Sequence, residues 1–287
     1  MKITVWGCRG STCVPGAKTL RYGGNTTCVE IRTSGGLELV VDAGSGLRNL
    51  GQALLEDKAI TDLTLLFTHA HWDHLMGFPF FKPAYLSRYK ITLCGGPVAQ
   101  NSVEKYLTHQ MEAPFFPVDF NLMKARFITG CQCATAQCAG ANAGPLGPKV
   151  CQAIPLNHPN GGYGFKFADQ GKTFVFLTDN ELSFHHEGGF ARQEYVEFCR
   201  GADLLFHDAQ YTDAEYELTR GWGHSTYADA IRLAQDANVK RLGLFHHDPD
   251  RTDDELDAQV AICRQIIQQA GSSVDCFAVA EGMVIDL

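Results

Sequence analysis

The stretch Thr68-His69-Ala70-His71-Trp72-Asp73-His74, "THAHWDH", follows the apolar run "LTLLF" and packs four potential metal ligands into six residues. Imidazole suits zinc, iron and manganese, and a carboxylate adds a harder ligand. In an extended chain His69 and His71 project to the same face. A turn at Trp72 then carries Asp73 and His74 to a neighbouring position. That spacing favours two adjacent ions over one. The competing reading, a histidine-rich turn without metal, leaves so dense a ligand set unexplained.

The same pattern, a short apolar strand running into Asp or His, recurs along the chain. It ends "ELVVDAG" at Asp42, "TFVFLTD" at Asp179, "DLLFHDA" at His207 and Asp208, and "LGLFHHD" at His246. Polar groups at the C-terminal ends of several strands converge on one sheet edge, where α/β proteins build their sites. Strands are predicted at 2–7, 26–33, 37–42, 63–68, 90–95, 150–156, 163–168, 173–178, 203–207, 240–246 and 276–286. Helices are predicted at 46–57, 98–111, 190–200, 225–237 and 253–270. In the last, Leu256, Val260, Cys263, Ile267 and Ala270 form one apolar stripe.

The 287 residues, 45% hydrophobic and 20% charged, suffice for a substantial core. A formal charge of −8 argues against non-specific binding to nucleic acid. No apolar run approaches the roughly 20 residues of a membrane helix. The start, "MKITVWGCRGS", reads as a strand and turn without a signal peptide, so a cytoplasmic protein with mostly reduced cysteines is expected.

The HxHxDH pattern at 69–74 resembles the signature of the metallo-β-lactamase superfamily of hydrolases, and the order of the later motifs matches over nearly the whole chain. The resemblance implies an α/β fold, a four-layer αββα sandwich spanning 1–287 as one domain. The small-residue stretch "CQCATAQCAGANAGPLGP", 131–148, would be an insertion. The resemblance further implies two divalent ions, zinc first, with Mn²⁺ or Fe²⁺ as alternatives. His69, His71 and His158 would hold one ion; Asp73, His74 and His246 the other; Asp179 would bridge them. His246, directly off its strand, is preferred to His247. Asp42 matches a position that orients rather than ligates. Two such ions make hydroxide available near neutral pH and clamp substrate oxygens, with Asp73 orienting or deprotonating the water.

The metal motif does not choose among lactams, thioesters, lactones and phosphodiesters. The segments "LLFHDAQY" and "GWGHST" do discriminate, because they resemble the paired HEAT and HST motifs of ribonuclease Z and its relatives. Here His207-Asp208-Ala209-Gln210 departs from His-Glu-Ala-Thr but keeps an acidic residue. A phosphodiester's alkoxide leaves poorly, and His224 held by Asp208 would protonate it. Ser225 is expected to cap the following helix and, with Arg220, to meet the anion. His158 and Asp179 stand only 21 positions apart, at the place where ribonuclease Z relatives carry a long RNA-binding arm.

A small phosphodiester, such as a cyclic nucleotide, is therefore the expected substrate, with a homodimer left open. The loops "WGCRGSTCVPG" and "RYGGNTTCVE" resemble those of superfamily phosphodiesterases and make Arg9 and Asn25 candidate pocket residues. Thioesterase, lactonase and RNA-processing activities are the enzymatic alternatives; a di-iron redox protein and a ligand sensor lie outside that class. Cys131, Cys133, Cys138 and Cys151 are spaced too irregularly for a standard zinc site. His185 and His186 read as a solvated loop, and Phe115, Phe116 and Phe120 as core.

Overall fold

The computed structural model describes residues 1–95, 103–131 and 150–287. Two sheets form its centre. The first has the order β13-β1-β2-β3-β4-β5-β6, with β1 Lys2–Gly7, β2 Cys28–Arg32, β3 Glu38–Val41, β4 Asp62–Phe67, β5 Lys90–Gly95, β6 Arg126–Cys131 and β13 Val284–Asp286. The second has the order β12-β11-β10-β9-β8-β7, with β7 Cys151–Pro155, β8 Tyr163–Asp169, β9 Lys172–Leu177, β10 Leu204–Asp208, β11 Arg241–Phe245 and β12 Asp275–Ala278. Strands β3 to β6 run parallel, as do β9 to β12. Parallel strands covered on both faces read as continuous apolar runs. "LLFHD" of β10 is buried at every position.

Alternation along these strands sets the layers. Leu39 and Val41 face inward, as do Leu204 and Phe206, and the middle core unites Ile3, Val5 and Val29 with Phe165, Phe174 and Phe245. Val40 faces outward to α1 (Leu47–Glu56) and the apolar side of α2 (Val103–His109). On the opposite outer face, Leu205 and Leu242 meet α3 (Arg192–Cys199), α5 (Tyr227–Asp236) and α6 (Asp253–Gln269). The architecture is thus αββα, as expected.

Several expectations need correction. The strand expected over 276–286 is two strands in different sheets, β12 and β13, separated by a turn in which Gly282 takes φ +84°. Strand β6 and helix α4 (Asp213–Thr219) were missed. Helix α4 carries a reciprocal cap between Thr212 and Glu215, a T-x-x-E signal present in the sequence. Ala270 is the exposed C-cap of α6, outside its buried stripe. The insertion near 131–148 lies outside the described residues apart from Cys131, as does 98–102 of the second predicted helix. Phe120 is core, but Phe115 is 70% exposed. No helix among the described residues is long and apolar enough to cross a membrane.

One buried pair predicts a pH-dependent stability. Glu30 and Glu38 lie under Arg32, whose guanidinium reaches them at 2.6 and 3.1 Å. Burial, reinforced by Glu30, pushes the Glu38 carboxyl up to about 9. A raised carboxylate pKa means that the folded state holds a proton the unfolded chain releases near 4.5. Its contribution is complete below that pH and is lost as pH rises toward 9. Glu38→Gln should therefore melt close to wild type at pH 5 and several degrees higher at pH 9. A difference in melting temperature independent of pH would contradict this.

Candidate metal centre

Strand ends deliver the site. Asp42 follows β3, His69 follows β4, Asp179 follows β9, Asp208 ends β10 and His246 follows β11. Asp42, Asp179 and His246 are left-handed, with φ of +62°, +51° and +58°. Non-glycine residues enter that region at some cost, Asn, Asp and His most readily. Each reversal turns a side chain off its strand toward the common centre. Trp72–His74 forms a single 3₁₀ turn, so the expected bend at Trp72 is present.

Two ligand groups hold the expected metal ligands, and a third, Asp179, Asp208, His224 and His246, adjoins them. Of the two, one contains His69, His71, His158 and Asp179; the other Asp73, His74, Asp179 and His246; within each, ligand atoms lie within 4.8 Å of one another. Asp179 belongs to both. Its Oδ2 is 3.5 Å from His69 Nε2, and its Oδ1 is 3.3 Å from Nε2 of both His74 and His246.

The far side of most rings is already tied down. Nδ1 of His69 meets Thr68 Oγ1 at 3.0 Å, and Nδ1 of His74 meets Asp42 Oδ2 at 2.8 Å. Nδ1 of His158 meets the Gly223 carbonyl at 3.0 Å, and Nδ1 of His246 meets Gln210 Oε1 at 2.9 Å. Anchored in this way, four Nε2 atoms face inward, which is how metal-binding histidines are held. His69 Nε2 and His74 Nε2 are buried without a hydrogen-bond partner. Buried polar atoms are rarely left so, and a cation between them and the carboxylates would satisfy both. The donor set fits a pair of divalent ions.

Electrostatics agree. Burial pushes the Asp179 carboxyl up, but His246, His74 and His69 outweigh it and hold it well below the usual carboxylate range. Burial lowers His158 to about 3 and His69 well below its ordinary value, leaving nitrogen lone pairs free to bind metal. His74 goes the other way: burial opposes its charge, but Asp73, Asp179 and Asp42 raise it, so positive charge is favoured there.

Beside this cluster His224 Nδ1 lies 2.6 Å from Asp208 Oδ2, and its ring stacks on His246 with centroids 4.9 Å apart. Burial opposes its charge, yet Asp208, then Asp179 and Asp73, push it up to about 9. His247 points away, bonded through Nε2 to the Val279 carbonyl, so the orientation favours His246.

Three expected substrate contacts, Ser225, Arg9 and Asn25, have their side chains engaged within the fold. Thr226, not Ser225, caps α5, accepting from the Asp229 amide. The Ser225 hydroxyl is fully buried; it donates to the Asn180 carbonyl and accepts from the Leu182 amide. The Arg9 guanidinium is buried and donates to the carbonyls of Gly23, Asp248 and Arg251. Asn25 bridges Glu281 and Ser45. These two knit the N-terminal loops to the body. Arg220 is exposed, with its guanidinium over the Tyr216 ring. His185 is exposed, whereas His186 bonds to Glu181 at 2.7 Å. Sequence reasoning missed Thr68, Glu181 and the anchoring role of Gln210, and also the Ser11 amide, which donates to Asp73 Oδ2 at 2.8 Å. Thr68, Ser11 and Gln210 stood in quoted motifs; Glu181 did not.

A helix-flanked pair of sheets with paired His/Asp groups at its strand ends defines the metallo-β-lactamase class of fold. Residues 38–247 match the family described as the Beta-lactamase superfamily domain, and the chain belongs to that superfamily. It is 27% identical over 256 residues to a ribonuclease Z of Brevibacillus brevis, covering 75% of this chain and 77% of that protein. Among solved structures, the metallo-beta-lactamase fold protein YhfI from Bacillus subtilis superposes with a TM-score of 0.67 at 19% identity, covering 99% of this chain and 98% of that one. A diphosphatase from the PhnP family superposes with a TM-score of 0.62 at 18% identity, covering 100% of this chain and 97% of that one.

Proposed function

We propose that the chain is a metal-dependent phosphodiesterase acting on a small, nucleotide-like phosphodiester, with residues 1–287 forming one catalytic domain in the cytoplasm. The observation that carries this reading is the buried His224–Asp208 pair, stacked against His246 beside the ligand cluster. The ribonuclease Z relative, whose name denotes cleavage of RNA, supports the phosphodiester class.

His69, His71, His158 and Asp179 would hold one ion, and Asp73, His74, His246 and Asp179 the other, with zinc the first choice for so many imidazoles. When bound, such a pair supplies Lewis acidity, lowering the pKa of water and drawing charge from phosphoryl oxygens. The chain's own residues do the rest. Asp208 accepts a hydrogen bond from Nδ1–H of the His224 imidazolium, which leaves the Nε2 proton to be given to the departing alkoxide. Asp73 Oδ2 accepts a hydrogen bond from the Ser11 amide and is thereby held in place. The Asp42 carboxylate fixes the ring of His74 and, through Thr68, that of His69.

A small substrate is favoured for two reasons. The interval from His158 to Asp179 is filled by the β8–β9 hairpin, which turns at Gln170 and Gly171 and leaves no room for an RNA-binding arm there. The −8 charge also disfavours a long polyanion. Trp72 lies between His71 and Asp73 in sequence, and Trp222 two residues before His224; they are 74% and 62% exposed. Each offers a ring on which a base can stack.

The test is a cleavage screen with Zn²⁺ or Mn²⁺ over 2′,3′- and 3′,5′-cyclic nucleotides, linear dinucleotides, tRNA precursors, bis(p-nitrophenyl) phosphate and a thioester. Cleavage of the generic diester and of at least one small nucleotide is expected. Turnover confined to the thioester, or to the precursor RNA, would reject the reading. Trp222→Ala should raise KM for the preferred nucleotide about tenfold, in line with the ~1–3 kcal/mol of a base stack, while kcat changes little. An unchanged KM would remove Trp222 from the binding surface.

A further inference from the structure

Glu181 is fully buried on the loop after β9, two residues beyond Asp179. A carboxylate so placed needs partners for both oxygens. Four donors supply them. Oε1 accepts from the Gly221 amide at 2.7 Å and the Tyr216 hydroxyl at 2.6 Å; Oε2 accepts from the Gly223 amide at 2.7 Å and from His186 Nε2 at 2.7 Å. Two amides of "RGWGH" thus converge on one carboxylate. They can do so because Gly221 and Gly223 are left-handed, with φ of +87° and +97°. Alternating backbone conformations of this kind aim successive N–H groups at one anion.

Gly223 is fixed from three sides. Its N–H is held by Glu181, and its carbonyl meets His158 Nδ1. A Cβ on it would fall 1.9 Å from that same nitrogen. The Glu181 amide also donates to the Asn157 carbonyl, one residue before His158. The segments carrying Asp179, His158 and His224 are therefore joined through one side chain that takes no part in either ligand group.

We infer that Glu181 is a positioning residue that clamps the Arg220–His224 loop onto His158, so that the ion held by His69, His71 and His158 depends on a carboxylate outside the centre. The inference rests on the reading of His158 as a metal ligand. Glutamine at 181 has nearly the same shape, but its NH₂ would face one of the two donor pairs, so one glycine amide must let go. Removing the Tyr216 hydroxyl or the His186 ring leaves both glycine amides held.

The experiment is a titration of the metal-free protein with Zn²⁺ by calorimetry, with near-ultraviolet circular dichroism to follow the fold and kcat on bis(p-nitrophenyl) phosphate as a separate arm. Wild type should bind two ions. Glu181→Gln should keep the wild-type dichroism and retain one ion at unchanged affinity, with the other weakened about 100-fold, the upper range for loss of a ligand's supporting contact. Tyr216→Phe and His186→Ala should each weaken that ion by no more than threefold, and the double variant by about tenfold. The double variant keeps the test open if Glu181→Gln does not fold. Two ions bound as in wild type by Glu181→Gln, or equal weakening of both ions across the series, would overturn the clamp. A selective loss of one ion in a protein that cleaves no diester would uphold the clamp and reject the substrate reading. A wild-type protein binding fewer than two ions would overturn both.

Discussion

Asp179→Asn should leave the protein folded with at most one tightly bound ion and reduce kcat by at least ~10³-fold, beyond the ~10–100-fold typical of outer-shell ligand partners. The expectation comes from the division of its oxygens. Oδ2 faces His69, and Oδ1 faces His74 and His246. Asparagine keeps one acceptor oxygen, removes the charge and turns an NH₂ toward one group of imidazoles. It cannot serve two cations at once. The backbone does not resist the change, because asparagine tolerates the left-handed φ of +51° at this position. Metal analysis after gel filtration, alongside turnover of the generic diester, reads both effects. Two ions at wild-type affinity would show that the two groups do not share this residue.

His224→Ala should behave differently. Turnover should fall ~10²–10⁴-fold, the range for a positioned proton donor, while both ions stay bound. His224 contributes to neither of the two principal ligand groups, although its ring lies against His246. Asp208→Asn should reproduce much of the loss. An amide NH₂ opposite Nδ1 would favour the tautomer with its proton on Nε2 but would remove the charge that stabilises the imidazolium. A substrate with a good leaving group, such as p-nitrophenolate, should blunt both defects relative to an alkyl alkoxide. Equal defects on the two leaving groups would argue against proton donation. Metal loss in His224→Ala would mean that this histidine acts as a ligand.

The divided legibility of the sequence has a physical basis. Strands such as "TFVFLTD" announce themselves because burial on both faces leaves a continuous apolar run, and a sharp polar ending marks the site edge. The ligand set was therefore within reach, and the structure gathers all seven residues into the two groups. Arg9, Asn25 and Ser225 misled because their chemistry suits an anion equally well. Whether a guanidinium faces a pocket or three carbonyls is decided by loop packing over more than 200 residues of separation, as between Arg9 and Arg251. The offset between Ser225 and Thr226 as helix cap is a shift of one residue, but it redirects a hydroxyl from solvent to the Asn180 carbonyl. Glu181 was silent because its four partners come from three separate segments.

The left-handed backbone at Asp42, Asp179 and His246 also bears on how such a protein can change over generations. Each strand reversal admits only a short menu of residues without added strain: aspartate, asparagine, histidine and glycine. The substitutions that abolish metal chemistry are thus among those the main chain accepts most readily. A descendant carrying asparagine at 179 should keep the fold of its parent while losing its turnover. Purifying selection on folding would not see such a change, and a silent binding protein could arise from this scaffold in one step.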